Sequence, residues 1–115
     1  MSTNAIILYG IPNCDTVKKA RAHLAAQNIT YIFHDFKKQG VPEARMDAWL
    51  QAVGWELLLN RKGTTWRKLD AALQQSVVDS NSAKAVMLAN PSAIKRPVIE
   101  WLDRKVTVGF TGTAP

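Results

Sequence analysis

Two β-favouring segments near the amino terminus enclose one helical segment, and this order limits the fold more than any other feature. Residues 5–10, AIILYG, are apolar and run into a loop with proline, which predicts a strand. Apolar residues then recur at helical spacing from Asp15 to Gln27, and residues 29–36 show the alternation of a strand. Strand, helix and strand within about thirty residues form a βαβ unit with parallel strands and a right-handed crossover.

The middle of the chain predicts an inserted helical subdomain at about residues 41–92. Apolar positions at helical spacing indicate a helix over residues 41–53, with Pro42 at its start and Gly54 as its stop. Residues 55–63 are a short apolar run closed by a polar turn. Two further helices are predicted after this run. The first covers residues 64–76, with Thr64 or Thr65 as its cap. The second begins at Ser80 or Ser82 as its cap and ends at Asn90 and Pro91.

The carboxy-terminal part is rich in β-favouring residues. Strands over residues 98–102 and 105–110, joined by Asp103 and Arg104, predict an antiparallel hairpin. Only TGTAP remains after it, so we expect a closing helix to be absent or a stub. The resulting order predicts an α/β fold with a four-stranded mixed sheet, as in a thioredoxin-like domain whose middle is enlarged by helices.

Length and composition fit one domain over residues 1–115. The amino terminus has no basic segment followed by a long apolar core, and no apolar run approaches the roughly 20 residues that span a bilayer. We therefore expect a soluble, cytoplasmic protein without membrane contact. One cysteine cannot form an internal disulfide, and His23 and His34 have no metal-ligand spacing, so no metal is expected.

The charge balance favours anionic partners. Fifteen Lys and Arg residues stand against nine Asp and Glu residues, a formal net charge of +6. The basic residues form short scattered groups without an RNA-reading aromatic motif or a helix-turn-helix signature, so nucleic acid is not expected. A solvated surface and a small-anion pocket both fit this pattern.

Cys14, the only cysteine, has three interpretations: a buried filler, half of a redox pair, or a nucleophile. Its position after a loop and at a predicted helix start favours the thiolate, as does Lys18 one turn later, whereas Asp15 opposes it. Val17 occupies the place where a CxxC motif has its second cysteine. An internal dithiol cycle is therefore excluded, and an external thiol such as glutathione would have to resolve a mixed disulfide.

Thiol chemistry on anionic substrates or on glutathione needs positive groups that bind carboxylates, and the arginines are the candidates for this role. Arg61 lies in a polar, glycine-containing turn, and Arg96 precedes Pro97 at the start of a strand. We expect Asn13 and Thr16 to add hydrogen bonds to the sulfur or the ligand. For each arginine the alternative is a solvated surface residue.

Three segments in this order and spacing, LYGIPNCDTVKKARAHL, GWELLLNRKGTTWRKLD and AIKRPVI with VGF, resemble the ArsC/Spx family, most closely its YffB-type branch. The similarity covers nearly the whole chain. It implies a thioredoxin-like domain with an inserted helical subdomain and a cis proline at Pro97. Cys14 matches the family's catalytic cysteine, and Arg61 and Arg96 match arginines that assist oxyanion binding in its arsenate reductases.

The sequence departs from those arsenate reductases at two positions. They have a histidine where this chain has Gly10, and a third arginine where it has Phe110. An oxyanion would then have fewer donors. The Spx-type regulators bind RNA polymerase, and many carry a CxxC switch that Val17 removes here. The YffB-type branch is described as glutathione-dependent thiol reductases.

The sequence thus predicts a monothiol, glutathione-dependent thiol reductase. Cys14, Arg61 and Arg96 are its expected catalytic residues, with the substrate or glutathione bound by Asn13, Thr16, Lys18 and Pro97. Glutathione is the co-substrate, a thiol or disulfide compound is the substrate, and the protein is expected to be a monomer. A Spx-type interaction or regulatory module with a protein partner is the first alternative, and an arsenate reductase is the second.

Overall fold

The computed structural model describes residues 5–110. The chain divides into two compact units, residues 5–40 with 96–110, and Val41–Lys95. The first unit contains the sheet and one long helix, and the second is helical. In chain order the elements are β1 (Ile6–Gly10), α1 (Asp15–Ala26), β2 (Tyr31–Asp35), α2 (Phe36–Gln39), α3 (Glu43–Val53), α4 (Trp55–Leu58), α5 (Thr64–Arg67), α6 (Ala71–Ser76), α7 (Ser80–Ala89), a 3₁₀ turn (Pro91–Ala93), β3 (Val98–Glu100) and β4 (Val106–Val108).

The four strands form one mixed sheet in the order β2-β1-β3-β4. β1 and β2 are parallel, with Leu8 opposite Phe33, while β3 is antiparallel to both β1 and β4. This arrangement confirms the predicted α/β fold with a four-stranded mixed sheet. None of the helices within residues 5–110 is long and apolar enough to cross a membrane.

Helix α1 packs on one face of this sheet because its apolar residues share one side. Val17, Ala20 and Leu24 are spaced three and four residues apart and are buried. They form the core of the first unit together with residues of β1 and β3, namely Ile6, Leu8 and Ile99. The helix ends one residue earlier than predicted, and Asn28 then takes a positive φ of 58°.

The second strand covers Tyr31–Asp35 instead of the predicted 29–36, and at its carboxy-terminal end Asp35 is also the N-cap of a helix. The Asp35 carboxylate accepts a hydrogen bond from the Lys37 backbone N–H at 2.9 Å, and the Asp35 N–H donates to the Gln39 side chain at 3.1 Å. These reciprocal bonds cap α2, a single helical turn that the sequence analysis missed.

In the helical unit, α3 agrees with its prediction. It follows Pro42, buries Met46 and Trp49, and ends at Gly54, whose φ of +84° suits glycine. The predicted cap of α7 was wrong by one to three residues. Asp79 is the N-cap, and Ser82 is the third helical residue, whose N–H donates to the Asp79 carboxylate at 2.9 Å.

The segment between these helices differs most from its prediction. The apolar run at 55–63 begins with helix α4, and Leu59 then forms an isolated antiparallel bridge with Ile94. The single helix predicted over 64–76 is two short helices, α5 and α6. The break has a local cause, because Asp70, the N-cap of α6, has the extended ψ of 139°. Neither Thr64 nor Thr65 caps α5, whose N-cap is Gly63.

The carboxy-terminal hairpin is antiparallel as predicted, but its strands are shorter than 98–102 and 105–110. Five residues connect β3 and β4. The Trp101 N–H closes this turn by donating to the Lys105 carbonyl, and the Trp101 indole donates to the Thr107 hydroxyl at 2.9 Å. Arg104 has a positive φ of 68° within this turn. The expected closing stub falls on residues 111–115, outside the described residues.

Candidate functional site

Cys14 is the N-cap residue of α1, as its position in the sequence predicts. Its backbone is extended, with φ −144° and ψ 122°, and its carbonyl accepts the first intrahelical bond from the Lys18 N–H at 2.9 Å. The thiol makes no capping hydrogen bond and is half-buried against the core of the first unit. A sulfur here lies beside the first-turn N–H groups, which have no partner within the helix, and beside the positive end of the helix dipole.

The position of Cys14 depends on the close contact between Gly10 and Val17. Gly10 is the last residue of β1, and a Cβ atom built there would lie 2.7 Å from Cγ2 of Val17. Val17 is fully buried in the first turn of α1. Glycine therefore allows the helix to pack directly on the end of the strand, with Cys14 as the last residue of the connecting loop. Sequence analysis gave Gly10 no structural role, although a glycine in a strand is a signal that another part of the backbone or a side chain packs closely against it.

The polar residues around Cys14 differ in exposure. Asn13 and Lys18 are exposed, and Thr16 is half-buried in the first turn of α1. Lys18 takes part in none of the salt bridges found within residues 5–110. Its predicted part in binding a substrate or glutathione stays a prediction.

Arg96 and Pro97 lie at the same end of the sheet as the Cys14 loop. Tyr9 near the end of β1 is opposite Val98 at the start of antiparallel β3, so the two loops meet at one edge. The Arg96–Pro97 peptide bond is cis, as the resemblance implies. Pro97 is fully buried and its carbonyl accepts the Gly109 N–H at 2.9 Å, whereas Arg96 is half-buried.

Arg61 belongs to the other unit, Val41–Lys95, and its part in the site stays a prediction. It is exposed in the turn before α5. Its guanidinium carbon lies 5.4 Å from the centre of the Trp55 ring, within the range of a cation–π contact. The Asn60 side chain shapes this turn by accepting the Lys62 N–H at 3.2 Å.

The resemblance pairs Phe110 with the third arginine of the family's arsenate reductases, and this correspondence stays a prediction. The Phe110 ring packs against the core of the first unit and lies 5.4 Å from the His23 ring on α1. This position therefore gives an apolar contact rather than an anion donor. Within residues 5–110 no group of three His, Cys, Asp or Glu side chains gathers that could hold a metal ion.

Comparison with known proteins identifies the family of this chain. The ArsC family model matches residues 9–113. An uncharacterized protein of Haemophilus influenzae is 42% identical over 105 residues, which are 91% of this chain and 90% of that protein. The solved YffB (PA3664) protein is 45% identical, with a TM-score of 0.88 over 94% of this chain and 93% of its own. An arsenate reductase (ArsC) related protein from Brucella melitensis is 49% identical, with a TM-score of 0.75 over 96% and 91%. The chain therefore belongs to the ArsC family, which has a thioredoxin-like fold and whose chemistry is thiol-based redox chemistry.

Proposed function

We propose that this protein is a glutathione-dependent thiol–disulfide reductase with Cys14 as its single nucleophile. The observation that carries the proposal is the location of a lone, half-buried thiol at the N-cap of α1. It shares one sheet end with the Arg96–Pro97 segment. The thiol thus lies at the amino-terminal end of α1, where the first-turn N–H groups have no partner within the helix, and the thiolate is the form that attacks a disulfide. Glutathione is abundant in a reducing compartment, so the cytoplasm is the proposed location.

The reaction proceeds through two mixed disulfides. The Cys14 thiolate attacks one sulfur of a substrate disulfide, which breaks the S–S bond and releases the other half as a thiolate that takes a proton from water. A glutathione thiolate attacks the Cys14 sulfur, releases the second half and leaves Cys14 bound to glutathione. A second glutathione thiolate attacks the glutathione sulfur of this disulfide and restores Cys14. One disulfide is reduced to two thiols while two glutathione molecules become one oxidised glutathione.

The neighbouring side chains have separate proposed roles. Arg61 and Arg96 bind carboxylates of glutathione or the substrate, with Lys18 as a further cation. Asn13 and Thr16 donate hydrogen bonds to the sulfur or the ligand, and the loop at Pro97 lines the substrate. The buried Val17 excludes a resolving thiol at the adjacent helical position, which leaves this step to glutathione.

Steady-state reduction of a small glutathione mixed disulfide, with glutathione as reductant, tests the proposal. The wild-type protein should form oxidised glutathione, and Cys14→Ser should form none. Arg61→Ala and Arg96→Ala should each lower kcat/KM by about tenfold, the loss expected for one charge-assisted contact. Lys19→Ala, an exposed cation on the outer side of α1, should keep wild-type activity. Equal losses in all three cation variants would contradict specific roles for the arginines.

Arsenate reduction is a second candidate, because the similar Brucella melitensis protein is named as related to arsenate reductase. The apolar environment of Phe110 argues against it. Measuring arsenate-dependent oxidation of glutathione separates the two reactions. We expect no turnover above the background without protein, and robust turnover would favour the arsenate reaction.

A further inference from the structure

Four exposed cations lie within eight consecutive residues, 61–68, of the helical unit. Arg61 and Lys62 lie in the turn before α5, and Arg67 and Lys68 lie at its end. We call these four residues the basic segment. We propose that the basic segment is a docking surface for an acidic segment of a partner protein. The basic segment shares Arg61 with the glutathione or substrate site of the proposed function, so the test below leaves Arg61 unchanged.

Within residues 5–110 no salt bridge neutralises the basic segment. Residues 57–69 contain no aspartate or glutamate. Among the described residues, the salt bridges involve Lys84 and Lys105 and none of the four cations. Lys84, which lies between Glu43 and Asp47 at 3.0 and 2.8 Å, shows how this unit neutralises a cation in its own structure. The guanidinium and ammonium groups of the basic segment can therefore form ion pairs with carboxylates of another molecule.

The backbone that carries these cations is well fixed. Asn60 donates its N–H to Ala93 at 2.8 Å, and its side chain packs so closely on Gly63 that a Cβ atom there would lie 2.7 Å from Nδ2. The Trp66 carbonyl accepts the Gln74 side chain at 2.7 Å, which anchors the other end of the segment. A partner would bind to charges whose backbone is already ordered, so little conformational entropy is lost there.

One of the four side chains is also held by an aromatic ring. The guanidinium of Arg61 lies over the face of Trp55, which leaves its N–H groups at the edge for a planar carboxylate. Arg67 offers the same fork geometry, and the two lysines add point charges. This set suits a cluster of several carboxylates better than a single small anion.

The boundaries of the basic segment favour an acidic peptide over nucleic acid. Exposed acids flank the run in the sequence, with Glu56 five residues before Arg61 and Asp70 two residues after Lys68. A phosphodiester backbone that continued past the segment would meet like charge at both ends. A short acidic peptide would contact the cations between them and extend no further.

Fluorescence anisotropy with a short labelled polyglutamate peptide at low ionic strength tests this proposal. The test variant is Lys62→Gln/Arg67→Gln/Lys68→Gln, which leaves Arg61 in place. The matched control, Lys19→Gln/Lys37→Gln/Lys38→Gln, removes three exposed charges from the other unit and changes net charge equally. We expect the test variant to bind about tenfold more weakly than the wild type, the loss for three exposed ion pairs, and the control to bind within about twofold of wild type.

Three results would overturn the proposal. The first is that the wild-type protein does not bind the peptide. The second is that both triple variants lose affinity equally, which would make net charge the only cause. A labelled single-stranded oligonucleotide of matched charge is measured in parallel. If it binds the wild type more tightly than the peptide and loses affinity in the test variant, the surface is one for nucleic acid. Thermal melting of both variants verifies that they are folded. Arg67→Gln alone should also bind the peptide more weakly than the wild type, by less than the triple test variant does.

Discussion

The contact between Gly10 and Val17 gives a quantitative prediction about the frame that holds Cys14. In Gly10→Ala the new Cβ would lie 2.7 Å from Cγ2 of Val17, about 1 Å inside the optimal carbon–carbon separation of roughly 3.5–4.0 Å. Val17 cannot rotate away cheaply, because it is β-branched and fully buried. Overpacking of this kind costs about 1–3 kcal/mol. Replacing glycine within a strand recovers about 0.5–1 kcal/mol, so we expect a net destabilisation of up to about 2.5 kcal/mol.

The same contact predicts that a second substitution reverses this effect. Val17→Ala alone removes two buried methyl groups and should cost about 1–3 kcal/mol. It also removes Cγ2, so Gly10→Ala should be neutral or slightly stabilising when Val17→Ala is already present. The coupling free energy between positions 10 and 17 is therefore expected to be about 1–3 kcal/mol and favourable.

Urea denaturation of the wild type, both single variants and the double variant measures this coupling. The free energy of unfolding of each protein follows from linear extrapolation to water. Effects that add within about 0.5 kcal/mol would refute the reasoning, because additivity means that the two side chains do not compete for one space. The result also bears on function, since any larger residue at position 10, histidine included, would require a smaller residue at position 17.

Two further predictions concern pH and use the helical unit. Hydrogen bonds from Ser82 hold the pKa of Asp79 below its ordinary value of 3.8. The contribution of the Asp79 carboxylate to stability is therefore complete at neutral pH and is lost as the pH falls through the lowered pKa. The melting-temperature difference between wild type and Asp79→Ala should shrink below about pH 4. Hydrogen bonds to Asp47 and Glu43 raise the pKa of Lys84 above 10.5. Its contribution is present below that value and is lost as the pH rises through the raised value, so Lys84→Met should lower the melting temperature at neutral pH and have a smaller effect at strongly alkaline pH. A difference that stays constant with pH would contradict either assignment.

The βαβ unit and the hairpin were predictable because their patterns are long. Val17, Ala20 and Leu24 repeat at helical spacing over a twelve-residue helix, and a four-stranded mixed sheet with helices packed on it follows from the layer rules. The four-residue helices were not predictable in this way. One turn is too short to show a period, and its formation depends on single caps such as Asp35.

The candidate site was predictable in part. The position of Cys14 at a helix start follows from the loop before it and the helical pattern after it. The cis bond at Pro97 came from the family resemblance rather than from composition. The contact of Gly10 with Val17 could not be predicted, because it depends on how closely a helix approaches a strand, and local sequence does not determine that distance.

The central claim is that Cys14 forms a mixed disulfide with glutathione, and intact-protein mass spectrometry tests it most directly. The protein is incubated with oxidised glutathione, and its mass is measured before and after reduction. We predict one glutathione adduct on the wild type that reduced glutathione removes, and none on Cys14→Ser. A wild-type protein that stays unmodified while an unstructured cysteine peptide reacts under the same conditions would contradict the account.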